Sequence, residues 1–224
     1  MRGISRESSR AVDRRATEAL GIPSICLMEN AANGAADAVL RLESDATKPI
    51  LCLAGPGNNG GDAMAVARHL AIARRPVIVA LLDLGIRKVP RGDAGIQHGI
   101  VSAMGLEQHV LHSESAGKKV RELAARADLA VDGLFGTGLD RPLEGAARDV
   151  VLELNRAKLR IVALDLPSGL DCDTGEPLGA CVRAYATVSF VAPKLGFAHR
   201  GASEWTGDVS VVGIGAPLEW PLRD

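Results

Sequence analysis

Three loops in this chain are dense in glycine and in oxygen-bearing side chains. The first, GPGNNGGD, runs from Gly55 to Asp62. The second, DGLFGTGLDRPLEG, runs from Asp132 to Gly145, and the third, DLPSGLDCDTGEPLG, from Asp165 to Gly179. Gly55, Gly57 and Gly60 fit G-x-G-x-x-G after an apolar run, and Asp83, 23 residues past Gly60, ends the next one. That is close to a dinucleotide-binding fingerprint, in which glycines admit a pyrophosphate to the backbone and a helix N-terminus supplies N–H groups. A plain strand–helix turn would use the same Asn and Gly for unusual φ/ψ. Four residues fit the fingerprint poorly. Pro56 is foreign to it, and Asn58 and Asn59 bring amide groups. Asp62 puts a carboxylate in what reads as the first helical turn, where a pyrophosphate would compete for the same N–H groups.

In the second loop, Gly136-Thr137-Gly138 can form a backbone nest for phosphate oxygens, with Arg141 as a charged partner or as a solvated residue. In the third, Asp165 follows a strand, with Ser168, Asp171 and Asp173 beyond it. Asp132 and Asp165 read as matching positions on two strands. Two carboxylates, an Asn carbonyl and a Ser hydroxyl form an all-oxygen set, which suits a hard cation better than zinc. The set also offers a general acid/base. Asp171 and Asp173 read equally well as loop caps.

Other motifs carry less. His109 and His112 form H-x-x-H with no further ligand in view, and His69 reads as structural or exposed. Ser168 has no glycine two residues before it, so LPSGL is not a nucleophile elbow. The first loop lacks the G-K-[ST] ending of a P-loop. Lys194 in VAPKLGF could reach the site rim, but a solvated lysine is the base expectation.

These loops need a frame, and the chain supplies one. Helical spacing covers Ser5 to Leu20, and a second helix runs through SICLMENAANGAADAVLRL. Apolar runs at Ile50–Ala54, Pro76–Leu82, Leu129–Asp132 and Arg160–Leu164 read as strands, with late strands at Ala186–Val191 and Val209–Val212. Helices are expected over Gly61–Ala73, Asp93–Met104, Ser115–Arg126 and Glu144–Arg156, and EQHVLH is a further short strand candidate. Continuous apolar strands imply a sheet covered on both faces, and alternation with helices implies parallel βαβ units. The fold class is α/β, a three-layer α/β/α domain over 1–224 with a mainly parallel sheet. The strand-rich end is expected to add antiparallel edges. Ligands of such sheets bind beyond the carboxyl ends of the strands, where all three loops lie.

Composition narrows the class. Aromatics make up 3% of the 224 residues and the formal net charge is −1, so no nucleic-acid footprint is present. No apolar run is long enough to span a bilayer. The four cysteines form no C-x-x-C, which suits free thiols in a reducing compartment. The start has no apolar core after its basic residues, so a cytoplasmic protein is expected.

GIPSICLMENAANGAADAV, GPGNNGGD…ARHL, VDGLFGTGLDRPL, LDLPSGLDCDTG and APKLGF stand in the order of one family's blocks. On them the chain resembles the YjeF amino-terminal domain family, the NAD(P)H-hydrate epimerases. Ala63 departs from the glycine often found there and is compatible with a helix. The resemblance implies a Rossmann-like fold, commonly a homodimer. It implies epimerisation of hydrated NADH and NADPH, coupled to a separate dehydratase, since no kinase-like domain follows. It places potassium on Asn59, Asp132 and Ser168. Substrate contacts fall on Asn58, Asn59, Gly60, Gly61 and Asp62, on Gly136, Thr137, Gly138, Leu139, Asp140, Arg141 and Pro142, and on Asp165, which is the expected catalytic residue. Two other classes share the frame. A scaffold or binding module would be expected to lose this loop chemistry, and a dehydrogenase would use Asp83 on a ribose and need a large substrate domain.

Overall fold

Ile50–Ala54 (β1) is buried along its whole length because each of its faces meets a different helical layer. Ile50, Cys52 and Ala54 pack into one apolar cluster and Leu51 and Leu53 into another. This is the two-sided burial that a continuous apolar run signals. The computed structural model describes residues 3–43, 45–85 and 90–218. Six further strands join β1: Val77–Leu82 (β2), Glu107–Leu111 (β3), Leu129–Gly133 (β4), Arg160–Leu164 (β5), Ala186–Phe190 (β6) and Asp208–Val212 (β7). Their order is β3-β2-β1-β4-β5-β6-β7, and every pairing is parallel.

The late strands therefore do not add the antiparallel edges expected above. Val191 to Gly207 separates β6 from β7, long enough for the crossover that parallel pairing requires, and it carries a 3₁₀ turn, Leu195–Ala198, and a short helix, Ser203–Thr206. β6 also stops one residue early, since Val191 has φ 70 and leaves the extended region.

Arg6–Glu18 (α1), Ser24–Leu42 (α2), Asn58–Ile72 (α3) and Gly92–Ala103 (α4) cover one face of the sheet. Ala116–Ala124 (α5) and Gly145–Arg156 (α6) cover the other. The buried face of α2 is mostly alanine, with Ala31, Ala32, Ala35, Ala36 and Ala38, and it packs chiefly against α3, which lets the two backbones lie close. Ser5 caps α1, its hydroxyl accepting from the Ser8 N–H at 3.1 Å. Cys52, Cys172 and Cys181 are buried free thiols. Among the described residues no helix is long and apolar enough to cross a membrane.

The strand order reverses direction between β1 and β4, so the first two loops leave the sheet side by side. Two fingerprint glycines are required by this packing itself. A Cβ on Gly55 would lie 1.7 Å from the Leu134 carbonyl oxygen, and one on Gly60 would lie 1.9 Å from the Gly55 carbonyl oxygen. Gly57 faces open space. Gly55→Ala is therefore expected to cost at least about 3 kcal/mol, since the obstructing atom is backbone and cannot turn aside. Gly57→Ala costs no more than about 1 kcal/mol, the ordinary N-cap difference. Denaturant midpoints of the two variants against the parent check the contrast.

Candidate functional site

A cavity of about 710 Å³ opens at the carboxyl ends of the strands. Pro56 to Asn59 and Asp62 form one wall, residues 134–141 a second, and Asp165, Phe190 and Val191 the floor side. Ten expected site residues line it: Asn58, Asn59, Asp62, Gly136, Thr137, Gly138, Leu139, Asp140, Arg141 and Asp165. Gly60, Gly61, Pro142, Asp132 and Ser168 do not. α1 supplies a wall that was not foreseen, with Ser9, Arg10, Asp13, Arg14 and Thr17. The i, i+4 polar pairs Ser9/Asp13 and Arg10/Arg14 beside buried Val12 and Ala16 were the available signal.

The helix after the first loop begins at Asn58, three residues before the expected Gly61. Gly57 is its N-cap and makes no side-chain cap. The first intrahelical bond is from the Gly61 N–H to the Gly57 carbonyl at 3.2 Å, so the N–H groups of Asn58, Asn59 and Gly60 have no intrahelical partner. This corrects the placement of Asp62. It stands in the second turn, beyond the free N–H groups, where the helix terminus gives a carboxylate little support. An anion at the terminus and Asp62 do not compete for the same donors. Burial, then the carboxylates of Asp165, Asp13 and Asp93, hold the Asp62 pKa well above the usual range.

Asp132 and Asp165 are not equivalent either. Asp132 pairs in register with Ala163, two residues before Asp165. The Asp132 side chain is wholly buried. It accepts from the Ser168 N–H at 2.8 Å, the Ser168 hydroxyl at 2.7 Å and the Leu134 N–H at 3.2 Å. Burial still pushes its pKa up, with those bonds opposing. The Ser168 hydroxyl in turn accepts from the Phe135 N–H at 2.8 Å, which ties the third loop to the second. Asn59 packs against the same segment. A Cβ on Gly136 would come within 3.3 Å of its side chain. Both side-chain amide atoms of Asn59 are buried without a hydrogen-bond partner. An orphaned side-chain carbonyl oxygen on a loop packed against Gly136 is the kind of donor a hard cation takes. Among the described residues no three His, Cys, Asp or Glu side chains gather as a metal-ligand set.

Asp165 follows β5 in the left-handed region, φ 68, and its neighbour across the site, Val191, has φ 70. Such a conformation costs about 1–3 kcal/mol per residue and persists only where the surroundings enforce it. The Asp165 carboxylate there is met by Lys194. Contrary to the solvated expectation, it is 1% exposed. Its ammonium lies 2.5 Å from the Asp165 carboxylate and donates to the Phe190 carbonyl at 3.0 Å. The expectation failed because the partner lies 29 residues earlier in sequence and no local pattern announces it.

The remaining candidates have other work. Asp171 caps its own loop, accepting from the Asp173 and Thr174 N–H groups at 3.0 and 2.8 Å, and pairs with Arg6 at 2.8 Å. His69 lies 2.7 Å from the Glu29 carboxylate, His109 2.8 Å from Glu107, and His112 3.3 Å from Asp83. Asp83 ends its strand outside the cavity and accepts from the Gly85 N–H at 2.7 Å.

Fold and site together define an α/β domain with a phosphate-suited helix terminus and a carboxylate-bearing cavity. The family model described as "YjeF-related protein N-terminus" matches residues 24–196, and the chain belongs to that family. The chain is 41% identical over 94% of its length, and 83% of the relative's, to the NAD(P)H-hydrate epimerase of Rhodopirellula baltica. It is 35% identical to that of Limosilactobacillus reuteri, over 93% of each chain. To the bifunctional NAD(P)H-hydrate repair enzyme Nnr of Moorella thermoacetica it is 39% identical over 92% of its length, which is 39% of the longer protein. A yeast protein of known crystal structure superposes with a TM-score of 0.79 at 21% identity, covering 100% of this chain and 98% of its own, and so shares the fold. With these relatives the chain is an enzyme of the isomerase class.

Lys194→Met is expected to destabilise the protein by about 3–5 kcal/mol, because it strands a buried carboxylate. Adding Asp165→Asn to it recovers part of the loss, since the two sites act as one unit. A double-mutant cycle in urea reads both effects.

Proposed function

We propose that the chain interconverts the R and S epimers of hydrated NADH and NADPH, with Asp165 as an acid/base. The observation that carries this is the oriented Asp165 carboxylate facing the same cavity as the free N–H groups of α3 and the Gly136-Thr137-Gly138 segment. A dinucleotide pyrophosphate matches the second feature. The reactive ring matches the first. Its hydroxyl sits on the carbon next to nitrogen, a hemiaminal, and stereochemistry there is scrambled by breaking and remaking one carbon–heteroatom bond. That takes proton transfers and no hydride acceptor. Asn58 to Asp62, Gly136 to Pro142 and Asp165 are the substrate contacts on this reading.

Lys194 and the strained backbone hold Asp165 in one orientation, so little motion is needed at the moment of transfer. α1 closes the cavity on the side away from the sheet loops. Asn59, Asp132 and Ser168 would hold potassium, and the orphaned Asn59 amide supports that set. When bound, potassium supplies a fixed positive charge that offsets the buried Asp132 carboxylate. The names of the bifunctional relatives suit an activity coupled to a partner enzyme. A homodimer in a reducing compartment remains part of the proposal.

Asp165→Asn is expected to lower epimer exchange on a pure hydrate epimer by at least about 100-fold, the scale of one lost acid/base group. Near-normal exchange by a folded variant rejects the assignment. Potassium should raise the thermal midpoint relative to tetramethylammonium at equal ionic strength, as any ligand of the folded state does, and Ser168→Ala should abolish the increment. Equal midpoints in both salts reject the cation site.

A further inference from the structure

Epimerising a hemiaminal needs a group that gives a proton to the departing heteroatom and a group that takes one. Asp165 is one such group, and the Lys194 ammonium lies 2.5 Å from its carboxylate. The cavity wall carries a second carboxylate. Asp62 projects from α3 and is 9% exposed. Among the described residues it has neither a hydrogen-bond partner nor a countercharge, and the only lysine of the site is committed to Asp165. The charged groups that face it are Asp13 from α1, Asp93 from α4 and Asp165 from the loop after β5, all negative. Arg10, Arg14 and Arg141 line the same cavity, and none of them forms an ion pair with Asp62 among the described residues. A carboxylate so placed favours its protonated form. Two carboxylates in one cavity, one charged and one neutral, make a matched acid and base.

We propose that Asp62 is a second catalytic residue, the proton donor to the departing heteroatom, while Asp165 receives a proton; this rests on the epimerase reading above. In a route through loss of water, the ring nitrogen's lone pair forms the C=N bond as the C–O bond breaks. The bonding pair leaves with oxygen, which takes the Asp62 proton and departs as water. Water then adds to the opposite face and its proton passes to the Asp165 carboxylate. In a route through ring opening, the C–N pair goes to nitrogen, which takes the Asp62 proton, while Asp165 takes the hydroxyl proton. On closure to the opposite face the carbonyl oxygen takes the Asp165 proton and nitrogen returns its own to Asp62, so this route leaves both carboxyls as they began; the water-loss route moves one proton from Asp62 to Asp165, and exchange with solvent at the open cavity restores both.

The test compares the wild type with Asp62→Asn and Asp13→Asn by epimer exchange, NADPH binding and pH–rate profile. Asp62→Asn is expected to lower kcat about 100-fold or more, with NADPH binding within threefold. The wild-type rate should fall as pH rises through the raised Asp62 pKa, and this alkaline limb should vanish in Asp62→Asn. Asp13→Asn removes one of the carboxylates that face Asp62 and is expected to move the alkaline limb to lower pH. Folding is checked separately. A carboxyl whose folded pKa is raised contributes its full stability below the ordinary value and loses it as pH climbs through the raised one. Asp62→Asn removes that loss, so at neutral pH its thermal midpoint should equal or exceed the wild type's. Asp62→Glu should recover at least tenfold over Asp62→Asn. Exchange within tenfold of wild type in Asp62→Asn, or an unchanged alkaline limb, overturns the Asp62 role alone. No exchange by the wild type overturns the epimerase reading and this proposal with it.

Discussion

Taking a carboxylate out of water costs several kcal/mol unless it is paired, bonded or protonated, and this site buries three. Each meets the cost differently. Asp132 takes three donors from Ser168 and Leu134. Asp165 takes a buried ammonium at 2.5 Å. Asp62 takes neither, and burial and its acidic neighbours push its pKa up. The division follows from position. Asp132 lies inside β4, where backbone donors from adjoining loops are close. Asp165 lies past the end of β5, where the chain turns back under Lys194. Asp62 lies one turn into a helix, past the last free N–H group.

The amino-terminal segment holds these solutions together. Ile4 forms a parallel bridge to Lys194, with its N–H on the Pro193 carbonyl at 2.9 Å and its carbonyl accepting from Leu195 at 2.8 Å. Arg6 then donates to the Leu139 carbonyl and to Asp171, both at 2.8 Å. One short stretch thus touches the Asp165–Lys194 pair, the second loop and the third loop. These residues lie outside the 24–196 span of the family match, yet the cavity has no outer wall without the helix they begin. The substrate-facing loops are therefore braced from two sides, by Ser168 beneath and Arg6 above.

Much of this was legible in sequence because burial on both faces of a parallel sheet leaves a plain record. Apolar runs of five or six residues stand out, and loops that follow them inherit their positions at one sheet edge. Asn58, Asn59, Gly136 to Gly138, Arg141 and Asp165 were placed at that edge in this way, and they line the cavity. What escaped depends on contacts far apart in sequence. Lys194 has no local feature that says buried. The polar pairs on α1 do not say what they face. Asp62 was misplaced by a turn because Asn-Asn-Gly-Gly reads as a loop on propensity, and tertiary packing of Gly60 and Gly61 overrides that preference. Gly61 lies against Met28 of α2 and Ala94 of α4, where a Cβ would approach within 2.7 and 3.0 Å. The late strands were given the wrong direction because a crossover made of irregular chain carries no helical period.

The fingerprint in the first loop illustrates how one pattern can arise from two causes. In a dinucleotide-binding turn, glycines serve the tight turn, the approach of the pyrophosphate and helix–strand packing. Here Gly55 and Gly60 answer to the protein's own carbonyls at Leu134 and Gly55, and only Gly57 opens onto free space. The pattern alone cannot separate these duties, since all three positions simply lack a side chain. Asn59 does separate them. Among the described residues its buried amide has no partner, a cost that folding alone does not explain and that a bound ligand would remove. The residue least like a hydride-transfer fingerprint is thus the one that most directly marks the loop as a binding site.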